Sequence, residues 1–180
     1  MPELEDPASP NFTYRDLCEV GETWTRLRPD NTPREAATWA ALAELAATIL
    51  EPVRARFGRI TITYGHSGPG LYRRITAQRA PELDQHAGFE RNSRGNPICK
   101  RPGQAVDFIV ADTSSLEVAR FVVAQLPFDR LYYYGRDRPL HVSVGPEAKH
   151  DIRLVHRENG RHRNATRIRA ATFLDDDVNF

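Results

Sequence analysis

The chain has 180 residues, of which 40% are hydrophobic, so it is long enough for one domain with a substantial core and short for two. It carries 25 lysines and arginines against 24 aspartates and glutamates, and a net charge of +1 excludes a global field that attracts nucleic acid or membranes. The acidic start lacks the features of a secretory signal, and no stretch reaches the ~18 apolar residues of a membrane span. Two cysteines are too few for a disulfide framework, and we expect a cytoplasmic protein without membrane contact.

The chain begins with a leader and a short helix. Residues 1–10 hold three prolines without periodicity, which is typical of a flexible leader. Thr13 with Asp16 three positions later predicts a capped helix that continues through Cys18.

A long helix and a strand follow. Asn31-Thr-Pro33 predicts a helix start, because a capping side chain precedes a proline. Apolar residues then recur at steps of three and four as far as Val53, with Pro52 expected to kink or restart the helix and Gly58 to end it. The alternating run 59–64 predicts a strand.

The second half of the chain predicts mainly strands. After a glycine-rich turn at 65–70 and a long loop at 76–102, Ser114 with Glu117 predicts a capped helix between strands. The predicted strands are 103–110, a hairpin of 130–134 with 140–144, and 151–156 with a turn at Asn159-Gly160. Helices followed by strands indicate an α+β fold with a central antiparallel sheet, with a main domain at 11–157 and a C-terminal extension at 158–180.

Two of these strands carry a polar residue where an apolar one is expected. Asp107 interrupts the run Gly103-Gln-Ala-Val-Asp-Phe-Ile-Val110, and His141 interrupts Leu140-His-Val-Ser-Val144. A buried carboxylate or imidazole is costly unless it is paired, hydrogen-bonded or bound to a metal. An Asp–His hydrogen bond and a metal site both satisfy this requirement, and the pattern alone leaves both open.

Several motifs in fixed order resemble the zinc D-Ala-D-Ala carboxypeptidase family, which includes phage endolysins and has the Hedgehog/DD-peptidase fold. They are Asn11-Phe-Thr-Tyr-Arg-Asp-Leu17, Ile49-Leu-Glu-Pro-Val-Arg54, Ile62-Thr-Tyr-Gly65, Asp84-Gln-His86, Gly103-Gln-Ala-Val-Asp-Phe108, Pro127-Phe-Asp-Arg-Leu131 and Leu140-His-Val-Ser-Val144. The resemblance covers roughly residues 10–157. It implies a zinc-dependent peptidase or amidase with His86, Asp107 and His141 as metal ligands.

The chain departs from the family pattern at three places. About twenty residues separate His86 from Asp107, where the family has a handful, and the family spacing falls on Lys100. Either an inserted loop returns His86 to the site, or the first ligand is lost. Cys99 can substitute as a ligand, because a thiolate suits zinc, or it is a small buried hydrophobic residue. The family's catalytic glutamate falls on Tyr134, and its arginine falls near Ser67.

These departures leave the catalytic and ligand-binding groups open. His66 can replace the lost proton acceptor, or it is a solvated turn residue. Tyr134 and Tyr132 share one face of the sheet, where a phenol can point into the site or simply pack. Ser67 and Cys99 are candidate ligand-binding residues, and Arg136 and Arg138 are expected to hold a carboxylate or phosphate of a small ligand.

Arginines also gather near the C-terminus, at positions 153, 157, 161, 163, 167 and 169. They predict either a nucleic-acid contact or a solvated edge balanced by Asp175-Asp-Asp177, and the second is favoured. The first functional hypothesis is therefore a divergent zinc hydrolase acting on a small peptide-like or other small molecule. The alternative is a pseudoenzyme that keeps the scaffold and binds a small ligand, a protein or nucleic acid.

Overall fold

A computed structural model describes residues 1–75, 82–155, 157–158, 161–162, 165–175 and 177. The helices are α1 (Tyr14–Cys18), α2 (Glu22–Leu27), α3 (Ala36–Leu45), α4 (Glu51–Phe57), α5 (Pro69–Tyr72), α6 (Ser115–Gln125) and α7 (Ala170–Leu174). The strands are β1 (Pro7–Ser9), β2 (Phe12–Thr13), β3 (Ile60–Tyr64), β4 (Gln104–Val110), β5 (Arg130–Tyr133), β6 (Leu140–Val144), β7 (Asp151–Leu154), β8 (Arg157–Glu158), β9 (Arg161–His162) and β10 (Thr166–Ile168).

Helix α1 starts at the predicted cap, and helix α3 does not. The Thr13 amide donates to Asp16 Oδ2 at 2.8 Å, which completes the capping box. Helix α3 begins later than Asn31, because the side-chain amide of the buried Asn31 instead donates to the backbone carbonyls of Cys18 and His66. The start of α3 is held from across the chain by Glu90, whose carboxylate accepts the amides of residues 34 and 35.

Pro52 restarts the long helix without breaking it. A π-helical segment, Ala46–Leu50, joins α3 to α4, and Pro52 lies in the first turn of α4, where a missing N–H is tolerated. By length and composition the continuous helix Ala36–Phe57 is able to cross a membrane, but half of it is buried against the domain, and a core helix passes the same test.

The main sheet has six strands in the order β10-β7-β5-β6-β4-β3. The predicted hairpin of β5 and β6 is confirmed, as is the Ser114 cap of α6. The expectation of a purely antiparallel sheet is wrong, because β7 runs parallel to β5. The fold is mixed α/β, and the connection from β6 to β7 leads across β5 to its far side.

The two faces of this sheet differ in chemistry. Alternate residues such as Val106, Leu131 and Val142 are buried in the core, on the face where α3 and α6 pack. The opposite face carries Asp107 and His141. It is therefore the face on which a polar site can form.

Segments near both ends of the described chain pack against this domain. Pro7–Ser9 pairs with β2, and Leu4 and Ala8 pack against the core, so residues 1–10 are not a loose leader. Strand β10 adds an edge to the sheet, and the Phe173 side chain is fully buried in the core. The sequence-based boundary at residue 157 thus cuts through the sheet, and the predicted turn at Asn159-Gly160 lies outside the described residues.

Candidate metal centre

Strand register brings Asp107 and His141 together. They are directly opposite each other on β4 and β6, and cross-strand partners project from the same face. His141 Nδ1 lies 2.8 Å from Asp107 Oδ1. The Tyr132 ring, opposite His141 on β5, stacks on the imidazole with ring centroids 4.6 Å apart.

His86 reaches the same place from the loop that follows α5. Its Nδ1 lies 2.9 Å from the carbonyl oxygen of Gly65, and its own carbonyl accepts the Ser67 amide at 2.9 Å. A side chain at Gly65 would place its Cβ 2.0 Å from the Leu17 carbonyl oxygen, so only glycine allows this approach. The inserted residues between His86 and Asp107 therefore form a loop that leaves and returns, and Lys100 is not at the site.

Gln85 holds His86 in position. Its backbone is left-handed, with φ of 61°, which is strained for a residue with a side chain. The Gln85 side chain donates to Pro102 O at 2.7 Å and Asp129 Oδ2 at 2.9 Å, and it accepts from Ser143 Oγ at 2.8 Å. These buried bonds tie the loop to β5 and β6, and they compensate for the strain beside His86.

Three ligand atoms converge at this point. His86 Nε2 is 3.2 Å from Asp107 Oδ1, and one ligand atom from each of His86, Asp107 and His141 lies within 4.8 Å of the others. Zinc bonds of about 2.0–2.2 Å place tetrahedral ligand atoms roughly 3.3–3.6 Å apart. The two separations from Asp107 Oδ1, 3.2 Å to His86 Nε2 and 2.8 Å to His141 Nδ1, are shorter than this, so the cluster must open to accommodate an ion.

The hydrogen bond to Gly65 also selects the tautomer of His86. When Nδ1–H donates to that carbonyl, the lone pair lies on Nε2, facing the Asp107 carboxylate. Two acceptors 3.2 Å apart repel each other unless a proton or a cation lies between them. The arrangement thus fits either a protonated His86 or a metal ion.

The electrostatics of the cluster favour charge separation. Burial raises the pKa of Asp107, but the positive charge of His86 and hydrogen bonds from both histidines outweigh it and hold that pKa well below its usual value. Burial lowers the pKa of His86, and the charge and hydrogen bond of Asp107 outweigh it, so the net shift is upward. The Asp107 carboxylate therefore stays ionised at neutral pH, as a metal ligand must.

His66 and Tyr134 take different positions relative to this cluster. His66 is fully buried beside Gln104 and His86, so the expectation of a solvated turn residue is wrong. Burial lowers the pKa of His66 to about 4. Burial raises the pKa of Tyr134, and the charges of Asp107, Tyr132 and Asp84 add to this effect, so its phenol lies near the cluster and stays protonated.

The four candidate ligand-binding residues are dispersed. Ser67 is buried next to His86 through its backbone. Cys99 packs with Ala87 and Ile98 as a buried apolar residue and is not part of the metal-binding group. Arg136 and Arg138 are exposed in the hairpin turn, and their carbonyls accept from Ser115 at the start of α6.

Sequence reasoning missed two groups near the cluster. Asp84 accepts the His86 amide at 3.3 Å, and its charge raises the pKa of both His86 and Tyr134 after the larger effects of burial and Asp107. Arg101 donates from Nη1 to Tyr132 Oη at 2.8 Å. The Asp84-Gln-His86 motif contained the signal for Asp84, whereas nothing in the sequence connects Arg101 with Tyr132.

The fold and the site together define a mixed α/β domain with a candidate His–Asp–His metal centre on the face of its sheet that lies away from the hydrophobic core. No family model, curated protein or solved structure matches the chain.

Proposed function

We propose that this chain is a divergent zinc-dependent hydrolase of the Hedgehog/DD-peptidase fold, acting on an amide or ester bond. The observation that carries the proposal is the convergence of His86 Nε2, Asp107 Oδ1 and His141 Nδ1, with the His86 tautomer set by the Gly65 carbonyl. When bound, zinc supplies a Lewis acid and lowers the pKa of a water ligand to about 7.

The residues of the cluster and its neighbours have separate roles in this proposal. His86, Asp107 and His141 hold the ion. Tyr132 stacks on the His141 imidazole with ring centroids 4.6 Å apart, and Tyr64 packs against the His86 imidazole at 4.2 Å with the ring planes tilted by 46°. The protonated phenol of Tyr134 donates a hydrogen bond to a substrate oxygen that gains negative charge.

Asp84 is the proton acceptor in this proposal. It is half-buried, it lies beside His86 and Tyr134, and carboxylates act as general bases in hydrolysis. His66 is a weaker candidate, because it is fully buried and its pKa is lowered to about 4. This assignment replaces the glutamate that the related family has at position 134.

A panel of dipeptides, N-acyl amino acids and aryl esters tests this proposal with protein loaded with one equivalent of zinc. Turnover should require zinc and should fall about 10²–10⁴-fold in Asp84→Asn, the range typical of general-base loss. Asp112→Asn, a change at an exposed loop residue, is the matched control and should leave the rate unchanged. Zinc binding without turnover of any compound would favour the alternative, a binding module. The alternative is also supported by Tyr134, which stands where the zinc carboxypeptidases have their catalytic glutamate.

A further inference from the structure

A row of side chains leads from the candidate metal centre to the edge of the sheet. His141 is opposite Tyr132, Tyr132 is opposite Arg153, and Arg153 is opposite Arg167. Cross-strand partners share a face, so both arginines lie on the face that carries Asp107. With strands about 4.8 Å apart, their backbones lie roughly 10 and 14 Å from that of His141.

The outer part of this row lines a groove of about 440 Å³. Six cationic side chains line it, and they are Lys100, Arg101, Arg130, Lys149, Arg153 and Arg167. Among the described residues, two acidic side chains line it with them. The lining of the groove is therefore positive on balance, although the whole chain has a net charge of +1.

The two acids do not neutralise the groove. Asp151 is shared, with Oδ2 2.9 Å from Arg153 Nε and Oδ1 3.2 Å from Arg167 Nε. Glu147 is shared in the same way, 2.7 Å from Lys149 Nζ and 3.5 Å from Arg130 Nη2. Two further carboxylates pair with groove cations, since Glu82 Oε2 lies 3.0 Å from Lys100 Nζ and Asp129 Oδ2 pairs with Arg130 Nη1. Among the described residues four carboxylates thus face six cations, and an excess of positive charge remains.

Arg101 lies where the groove meets the metal centre. Its Nη1 donates to the Leu83 carbonyl and to Tyr132 Oη, both at 2.8 Å, and these acceptors are neutral. Among the described residues Arg101 has no carboxylate within ion-pair distance. Tyr132 in turn stacks on His141, so one aromatic ring separates an uncompensated guanidinium from the candidate metal ligand.

We propose that this groove is the subsite for an anionic group of the substrate, a carboxylate or a phosphate. The inference rests on the proposed hydrolase function. It names the substrate class as an acyl compound that carries an anionic group away from the bond that is cleaved. Arginine pairs suit this role, because their planar guanidinium groups bind carboxylate and phosphate oxygens in pairs.

Direct binding of two probes tests the subsite in protein freed of metal. Tripolyphosphate and a tetraglutamate peptide are titrated by calorimetry at low salt, and the tighter probe identifies the source of the anion. Arg153→Gln combined with Arg167→Gln should weaken binding about tenfold or more, whereas Arg153→Lys combined with Arg167→Lys should retain part of it. Arg26→Gln combined with Arg59→Gln removes the same charge at exposed positions outside the groove and should leave binding unchanged.

Other outcomes would overturn the subsite. One is an equal loss of binding in the Arg153 and Arg167 double variant and in the Arg26 and Arg59 double variant. Another is binding that is lost in His141→Ala and kept in the Arg153 and Arg167 double variant. The last is an octathymidylate that binds more tightly than both probes with a steep salt dependence. The last outcome would identify a nucleic-acid surface.

Kinetics separate this proposal from the hydrolase itself. For panel compounds that carry an anionic group, the Arg153→Gln and Arg167→Gln double variant should raise KM about tenfold with kcat within about twofold. A preference for neutral substrates, or zinc binding without anion binding, would overturn the subsite alone. Anion binding by a protein that never binds zinc would overturn the hydrolase and leave the anion site.

Discussion

The buried His66 predicts a specific loss of stability in acid. Burial lowers the pKa of the folded-state imidazole to about 4, whereas an unfolded chain titrates near its ordinary value of 6.5. Below pH 6.5 the unfolded state therefore binds a proton that the folded state does not, and the free energy of unfolding decreases as the pH falls. Linkage between these two pKa values gives a loss of about 2 kcal/mol between pH 7.5 and pH 5, and about 3 kcal/mol at pH 4.

The assay is urea unfolding followed by circular dichroism in metal-free buffer at pH 7.5 and pH 5. His66→Gln removes the titrating group and keeps a polar side chain beside Gln104. The free energy of unfolding of the wild type, relative to that of the variant, should therefore fall by about 2 kcal/mol between pH 7.5 and pH 5. His150→Gln is the control, because that histidine is exposed. Equal pH dependence in wild type and His66→Gln would refute the assignment of a buried neutral imidazole.

Three further substitutions test how the site is held. Gln85→Leu should weaken zinc binding about 10–100-fold by calorimetry, since it removes the bonds that position His86, and unchanged affinity would contradict that role. Glu90→Ala should lower the free energy of unfolding in urea by about 2–4 kcal/mol, because it removes the acceptor of three hydrogen bonds to the start of α3. It should also speed proteolysis of the loop that contains Glu90. The control Glu44→Ala changes an exposed residue and should cost little. Gly103→Ala should lower the free energy of unfolding by more than about 3 kcal/mol, because its Cβ would lie 2.1 Å from the Val144 carbonyl oxygen. The Cβ of Gly58→Ala meets no atom within 4 Å, so this control should cost about 1 kcal/mol for its positive φ. Similar costs for both variants would contradict the geometry.

The sequence carried the information for one half of the candidate site. Asp107 and His141 interrupt apolar strands, and strand alternation places both on the face away from the core. Their proximity then required only that β4 and β6 be neighbours. The resemblance to zinc carboxypeptidases remains a hypothesis, but it singled out the same two residues.

The other half depended on long-range contacts that no local pattern contains. His86 reaches the cluster because Gln85 bonds to Asp129 and Ser143, 44 and 58 positions away. A solvated turn residue was one of two interpretations of His66, yet His66 is buried, because the segment that contains His86 bonds back across the turn through the Ser67 amide.

The basic groove could not be predicted from the sequence for a related reason. Arg153 and Arg167 looked like part of a C-terminal arginine run, and they face the site because β7 pairs with β5 in parallel and β10 pairs with β7. A parallel pairing has no short turn that marks it in the sequence. Arg136 and Arg138, which do lie beside a predicted hairpin, are at the turn instead of the site.

Zinc binding by untagged protein tests the account most directly. After removal of metal and dialysis against one micromolar zinc, elemental analysis should find one zinc per chain in wild type and in His150→Ala. It should find almost none in Asp107→Ala and His141→Ala, with all four proteins folded by circular dichroism. A folded wild-type protein without zinc, or variants that retain it, would contradict the assignment of His86, Asp107 and His141 as a metal centre.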